Sequence, residues 1–452
     1  MIYYVLRWWC KMALWVNFRK VYLEYAERVP DDQSVVYGLN HPTAFIDPIA
    51  LGTHIDGRAW YMLRGDKFVN APVKWFLHKI HNLPIWNQRI SGRDALRRNI
   101  ETLAFATDRM AEGQPVIILS EGLCRHERRL RPIQRGTARM LFQAWKKNKD
   151  APVAIVPVGA NYTDPNAFRS SLTLSFGEPI YARDYAEAFR ADGHRTIDEV
   201  TALLERRLRE LVIHVEDPAR DGLVDKLLPL IQNSRPDSGV AAAGGDSPFR
   251  AEQWAAVERV NAMDDVAARS LEGEIDRYAR LLRESDVTDS GLANAEYATA
   301  WRALGLILTS PIAVFGYLAN LPAAALVQRQ TDKRVTNPQF YASVRYGLGM
   351  GVYAAYLLLW TLLAAVVFRW GALLVPVAFP LAGHFYLRWS ESSRLWQRAA
   401  RTGSLSDDAR ARLRTLRADL LAGVGVAWPA PPSPPPATPP APVSAGASAS
   451  VP

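Results

Sequence analysis

The segment Asn40-His41-Pro42-Thr43-Ala44-Phe45-Ile46-Asp47 sets an imidazole and a carboxylate close together, just after the apolar run 35–39. Proline at 42 steers His41 away from helical geometry and is itself suited to open a helix, so His41 is expected at a strand-to-helix mouth. An imidazole there can take a proton from an alcohol near neutral pH if a carboxylate holds its other nitrogen; Asp47 is the nearest candidate. A lone histidine is more often a satisfied surface or core residue, so the rest of the chain must supply the context. Residues 121–149, after the apolar run 116–119, carry nine Lys or Arg (Arg125, Arg128, Arg129, Arg131, Arg135, Arg139, Lys146, Lys147, Lys149) against Glu121 and Glu127. Guanidiniums grip phosphate bidentately, whereas a basic face resting on anionic lipid accounts for the lysines and some of the arginines.

Holding such groups takes a folded scaffold, and 452 residues with 49% hydrophobic content allow two or three domains with a sizeable core. A net charge of +9, from 54 Lys+Arg against 45 Asp+Glu, points to an anionic partner. Cys10 and Cys124 alone exclude a disulfide-stapled module and a cysteine-built zinc site, and fit a reducing compartment. His78 and His81 lack a third ligand, so neither metal nor cofactor is expected. With no G-x-S-x-G elbow, Cys124 beside Arg125 and His126 is the one tempting nucleophile, but neighbours in sequence need not face each other in space. Asn161-Tyr162-Thr163 matches a glycosylation pattern by chance, and GLGMG at 347–351 lies in an apolar stretch where it cannot open a nucleotide loop.

The positioning elements are read as follows. Strands are predicted at 35–39, 59–63, 83–86, 116–119, 154–158 and 172–176, with helices near 43–53, 68–80, 93–112 and 136–149. This alternation predicts an α/β fold with a mainly parallel sheet flanked by helices, whose sites lie at the carboxyl ends of strands. The expected organisation is an N-terminal amphipathic, interfacial helix (1–30), the α/β domain (31–220), a linker and charged helical segment (221–300), a helical membrane region (301–390), a helical C-terminal region (391–427) and a Pro-rich tail (428–452). In the first of these, Trp8, Trp9 and Trp15 suit the headgroup level, and Arg7, Lys11, Arg19 and Lys20 interrupt any clean span. Within 221–300, residues 251–285 are expected to lead back to the membrane.

No Asp, Glu, Lys or Arg occurs in 303–327, 346–368 or 370–387, and about 20 apolar residues cross a bilayer. Pro311, Asn320 and Pro322 leave 303–327 either a kinked span or a re-entrant hairpin; with the basic residues of 328–345 and those after 387 both on the cytoplasmic side, against Arg369 alone between the last two segments, 346–387 would be a hairpin and 303–327 re-entrant, if the α/β domain faces the cytoplasm. Three full crossings are the alternative. Gly347 and Gly351 offer a GxxxG spacing, more simply read as small residues in a tight hairpin.

At this point NHPTAFIDP resembles the His-plus-Asp motif of the glycerophospholipid acyltransferase family, in its five-spaced variant. LPIWNQR is similar to the family strand that ends in a substrate-phosphate arginine, here Arg89. VIILSEGLCRHERRLRPIQRG resembles its Pro-Glu-Gly-Thr-Arg block, with Glu121, Gly122 and Arg125 at the matching places and Arg135-Gly136 downstream. APVAIVPVGANY and LTLSFGEPI resemble the closing strands, so the likeness runs over roughly residues 1–215. Ser120 stands where proline is usual, Arg125 is four residues past Glu121 rather than three, and a residue inserted between His41 and Asp47 turns the carboxylate by about 100° unless the bend absorbs it.

The resemblance implies a membrane-integral O-acyltransferase with its catalytic domain facing the cytoplasm. His41 would act as base and Asp47 as its holder, and Arg89, Arg125 and Arg135 would contact phosphate, with an oxyanion donor near Gly122. It also implies an acyl-CoA or acyl-carrier-protein donor, a glycerol-phosphate or lysophospholipid acceptor, an anionic membrane and no nucleic acid. Two other readings use the same residues: a hydrolase activating water on a lipid ester or thioester, told apart by release of free fatty acid, and a non-enzymatic lipid-binding protein, told apart by binding without turnover.

Overall fold

The computed structural model describes residues 1–31, 34–86, 88–147, 152–234 and 245–428, with the backbone alone over 88–96. The chain opens with α1 (Ile2–Asn17), β1 (Phe18–Glu24), β2 (Ser34–Leu39), α2 (Ile46–His54), β3 (Trp60–Arg64), α3 (Ala71–Lys79), β4 (Asn82–Ile85) and α4 (Gln88–Ala111). It continues through β5 (Val116–Leu119), α5 (Gly136–Lys147), β6 (Val153–Tyr162), β7 (Ser170–Phe176), β8 (Ile180–Tyr181), α6 (Ala186–Ala191) and α7 (Gly193–Arg209). The strands form one sheet in the order β1, β7, β6, β2, β5, β3, β4, with β8 beside β6. Pairing is parallel except where β6 meets β7 and β8.

Burial on both faces explains the composition of the central strands. Every residue of β2 is buried, as expected where helices cover a parallel sheet on each side. Side chains alternate between the faces: Val36 joins Val116 and Ile155 under α4, α5 and α7, while Val35, Tyr37 and Leu39 join Ile117 and Val156 under α1 and α2. In α5 the buried Ala138, Leu141, Phe142 and Trp145 recur at three- and four-residue spacing and fix which side faces the sheet.

Connections run both ways from β2: the chain passes through α2 to β3 on one side, and from β5 through α5 to β6 on the other. Such a switch leaves a crevice at the carboxyl ends of the strands, where residues 40–47 follow Leu39.

The N-terminal element departs from the sequence reading. Its helix ends at Asn17, and 18–24 form a strand paired in parallel with β7 rather than more helix. Val21 and Tyr22 are buried on opposite faces of the strand, but they follow Arg19 and Lys20, which masks the strand as a basic aromatic helix tail. The tryptophans of α1 also differ in environment. Trp8 is exposed, but Trp9 donates to Met350 O at 3.3 Å and Trp15 stacks on His384 at 3.4 Å. The helix is therefore packed against the C-terminal helices along one side.

The remaining elements are α8 (Asp221–Asn233), α9 (Arg250–Ala262), α10 (Asp265–Glu284), α11 (Asp289–Ala293), α12 (Ala300–Arg334), α13 (Tyr341–Phe368), α14 (Val375–Gly403) and α15 (Asp407–Gly423). Residues 251–285, expected to lead to the membrane, instead break at Met263-Asp264 and pack as α9 and α10 with α8 and α15 around a core of their own. Buried inside it, Arg417 pairs with Asp289 at 2.7 Å.

Residues 300–334 and 338–403 are long and apolar enough to cross a membrane. The first is one continuous helix with Pro311 and Pro322 inside it, not a re-entrant hairpin. Its close approach to α14 uses Gly316, where any Cβ would strike the Ala382 backbone, whereas Gly351 of the GxxxG spacing faces open space. Residues 235–244, within the expected linker and charged helical segment, and 429–452, nearly all of the tail, lie outside the described residues.

Candidate active site

Asn40 begins the site by prolonging the sheet. Its side chain donates to Ala160 O at 3.1 Å and accepts from Ala160 N at 2.7 Å, just beyond the last β2–β6 pair, Leu39 with Val158. The amide thus does a strand's hydrogen bonding while the backbone turns away, and His41 is set at the mouth of the crevice.

The turn absorbs the extra residue between His41 and Asp47. Helix α2 begins only at Ile46, later than the predicted 43. In that bend His41 Nδ1 donates to Asp47 Oδ2 at 3.1 Å, the tautomer being assigned from this bond. Asp47 is fully buried, and a carboxylate out of water needs partners. It has four hydrogen bonds. Besides His41, Thr43 N donates to Oδ2 at 2.9 Å, and Thr43 Oγ1 and Tyr162 OH each donate to Oδ1 at 2.6 Å. Among the described residues His41 Nε2 makes no hydrogen bond, so the nitrogen that would meet a substrate is free while its opposite is tied.

Beside this pair, Ser120 N donates to Leu39 O at 2.8 Å and Ser120 O accepts from Gln134 N at 2.8 Å, so the loop 121–134 leaves and returns at one point. Ser120 Oγ and Thr137 Oγ1, 2.9 Å apart, pin its base to α5. Gly122 has φ +73°, and a Cβ there would come within 3.3 Å of Gln134 Cγ, which accounts for glycine at this turn. The Gly122 N–H, expected near an oxyanion, is given to Leu119 O at 3.0 Å; with its one proton used, it is not a free donor.

Glu121 is buried next to the pair. Burial pushes its carboxyl up to about 7 and the Asp47 charge adds to this, while N–H groups of Arg131 and His41 and the Arg131 charge pull the other way. Cys124 also feels Asp47 and Glu121 after burial itself, and its thiol is pushed up to about 12. At neutral pH it is therefore a thiol rather than a nucleophilic thiolate.

The arginines divide by partner. Arg125 donates its backbone N–H to His41 O at 3.3 Å, but its half-exposed side chain pairs with Glu127 at 3.2 Å. Arg128 and Arg129 reach Asp225 and Asp221 of α8 at 2.5 and 2.6 Å and serve to dock that helix. Arg135 holds Asp198 of α7 through two nitrogens, at 2.6 and 2.9 Å, on the surface. A phosphate would have to draw it off that partner. Arg89 falls in the first turn of α4, and its side chain lies outside the described residues. Arg131, whose charge acts on both Glu121 and Cys124, is the basic residue of the loop that sequence reasoning failed to single out. Thr43 and Tyr162 were missed as well; both lay within quoted blocks, but nothing local says that a tyrosine at the end of β6 reaches a carboxylate of α2. Among the described residues no group of His, Cys, Asp and Glu could hold a metal; His78 and His81 pack on Trp60.

A His–Asp pair with one imidazole nitrogen free among the described residues, seated at strand ends beside a cationic loop, is an arrangement suited to general-base catalysis. Residues 20–161 match the family model described as Acyltransferase. Among individual relatives, the chain is 36% identical over 73 residues to glycerol-3-phosphate O-acyltransferase 1 of Saccharomyces cerevisiae, covering 16% of this chain and 10% of the relative. It is 29% identical over 120 residues to glycerol-3-phosphate O-acyltransferase 2 of the same yeast, covering 26% of this chain and 16% of the relative. An uncharacterized acyltransferase of Schizosaccharomyces pombe is 26% identical over 111 residues, 24% of this chain and 16% of its own length. The matches thus span a sixth or less of these relatives. Among solved structures, the 1-acyl-sn-glycerophosphate acyltransferase of Thermotoga maritima aligns with a TM-score of 0.34 and 16% identity, over 46% of this chain and 79% of its own.

Proposed function

We propose that the protein is a membrane-embedded O-acyltransferase that moves a fatty acyl group from a thioester, acyl-CoA or acyl-carrier protein, to a hydroxyl of a glycerol-phosphate or lysophospholipid acceptor, as in phospholipid synthesis. The observation that carries this reading is His41, tied to a fully buried Asp47 through Nδ1 and unpaired at Nε2 among the described residues. The family match over residues 20–161 supports the reaction class, and the yeast relatives' names support the acceptor class.

In the proposed step Nε2 takes the hydroxyl proton as the acceptor oxygen attacks the thioester carbonyl. The new C–O bond forms, the C–S bond breaks, and the imidazolium returns its proton to the departing thiolate. Asp47 stabilises the cation that forms between these two transfers and keeps the ring from rotating. Glu121, close to neutrality at about 7, is a substrate-binding group able to hydrogen-bond an acceptor hydroxyl, with Gly122 shaping the turn that presents it. Arg125 and Arg135, together with Arg89, are the proposed phosphate contacts, the first two after leaving their surface carboxylates. The apolar helices α12, α13 and α14 would anchor the enzyme in an anionic membrane with the sheet domain on the cytoplasmic side.

The test is full-length protein in detergent, assayed with glycerol 3-phosphate, dihydroxyacetone phosphate, lysophosphatidate and other lysolipids against both donors, alongside His41→Ala. The reading requires acylated product that depends on acceptor and on His41. Release of free fatty acid regardless of acceptor would favour hydrolysis instead.

A further inference from the structure

Helix α13 reaches the acyltransferase domain at the bend that carries the His–Asp pair. Ser343 Oγ accepts from Phe45 N at 3.4 Å, Tyr346 meets the Phe45 ring edge-on, and Gly347 leaves room for that ring. Arg345, on the opposite side of the helix from these contacts, has its guanidinium 5.5 Å from the Phe168 ring and 5.6 Å from the Tyr341 ring. Phe168 belongs to the loop 163–169, which leaves β6 directly after the Tyr162 that holds Asp47.

Arg169, within this loop, and Arg345, beside it, differ in how they are partnered. Arg169 is saturated, with Glu391 at 2.6 Å and the carbonyls of Trp15, Val16 and Phe18. Arg345 has no ion-pair partner among the described residues, and its Nε is shut off from solvent without a hydrogen bond. The nearby carboxylates are already engaged. Asp164 accepts from Asn166 N and Ala167 N at 2.9 and 3.1 Å, and Asp332 accepts from Tyr341 and Gln328. Aromatic faces compensate a desolvated guanidinium only in part, and an oxyanion is its best partner.

We propose that Arg345 binds the phosphate of the acyl acceptor, a specificity residue supplied to the active site by a helix outside the acyltransferase domain. This rests on the reading given under Proposed function. The shared chemistry is a phosphate monoester or diester, carried either by a soluble acceptor or by a lipid headgroup.

The test uses the full chain in a neutral, phosphate-free detergent, with Arg345→Gln and Arg345→Lys checked for wild-type thermal unfolding. Losing a charged hydrogen-bond partner is expected to raise KM for glycerol 3-phosphate or lysophosphatidate about tenfold to a hundredfold, with kcat within about twofold. KM for phosphate-free monoacylglycerol should be unchanged, and lysine should recover part of the loss. Titration with inorganic phosphate, read by calorimetry, should weaken in parallel. An unchanged KM for both phosphorylated acceptors in Arg345→Gln, with unchanged phosphate binding, overturns the proposal while leaving the acyltransferase reading intact. Wild-type protein without turnover but with Arg345-dependent phosphate binding overturns that reading and keeps the anion site. If Arg345→Gln weakens binding to phosphatidate-containing vesicles alone, the anion is a bilayer headgroup and the acceptor assignment falls.

Discussion

The bend 40–47 and the loop 121–135 flank the same crevice but are built in opposite ways. In the bend every oxygen of Asp47 is engaged, by four donors within 3.1 Å, and Asn40 locks the approach from β2. In the loop the arginines that could meet a substrate reach carboxylates on the surface, where such pairs contribute about 0 to 1 kcal/mol. The first is preorganised, as proton transfer requires; the second can exchange its partners at little cost. The difference teaches that charge density and chemical readiness are separate properties, and that the second is found where hydrogen bonds converge.

That contrast can be broken by mutation. Replacing His41 with alanine removes the proposed base and should cut acyl transfer by about 10³-fold, while Arg135→Ala, which removes one of several proposed phosphate contacts, should cost at most about tenfold; equal losses would erase the distinction. Asp47→Asn leaves the shape but not the charge that steadies the imidazolium, and kcat should fall about a hundredfold with KM little changed. A Tyr162→Phe variant deletes one of four donors to Asp47, so a decrease of about tenfold in kcat is expected; activity at the wild-type level would show that the other three suffice.

Glu121 gives a stability test with a defined sign. Its carboxyl lies near 7 in the folded protein against an ordinary 4.5, so between those values the native state keeps a proton that the unfolded chain has released. Stability from this group therefore falls as pH rises from 4.5 to 7 and levels off above, by about 3 kcal/mol at most. In thermal unfolding across pH 4.5 to 8, Glu121→Gln should gain on the wild type as pH rises; parallel curves would place Glu121 in water. The smallest effect is expected from Cys124→Ala, with kcat/KM within about twofold of wild type because the thiol stays protonated.

How much of this could be seen beforehand depended on the range of each interaction. The buried strands were legible because two covered faces demand unbroken apolar runs, as in 116–119 and 153–158. His41 and Asp47 could be read because a proline and a short spacing confine both to one bend. Strand β1 escaped because its partner, β7, lies about 150 residues away and two basic residues, Arg19 and Lys20, interrupt its apolar run. Arg135 and Arg131 look alike in sequence; only the placement of α7 assigns Asp198 to one of them. The pairing of Tyr162 with Asp47 spans 115 positions and leaves no local trace. Nor did the charged stretch 251–285 reveal that its buried face meets α15 rather than lipid.

Ala342 and Tyr346 of α13 belong to the same apolar cluster as Val35, Leu39 and Ile46. The sheet domain therefore borrows part of its interior from a segment more than a hundred residues downstream of its last strand. A fragment trimmed after α7 would lose that wall and bare Phe45 at the bend that carries His41 and Asp47, so any screen for ligands of that bend has to carry the greasy helices along.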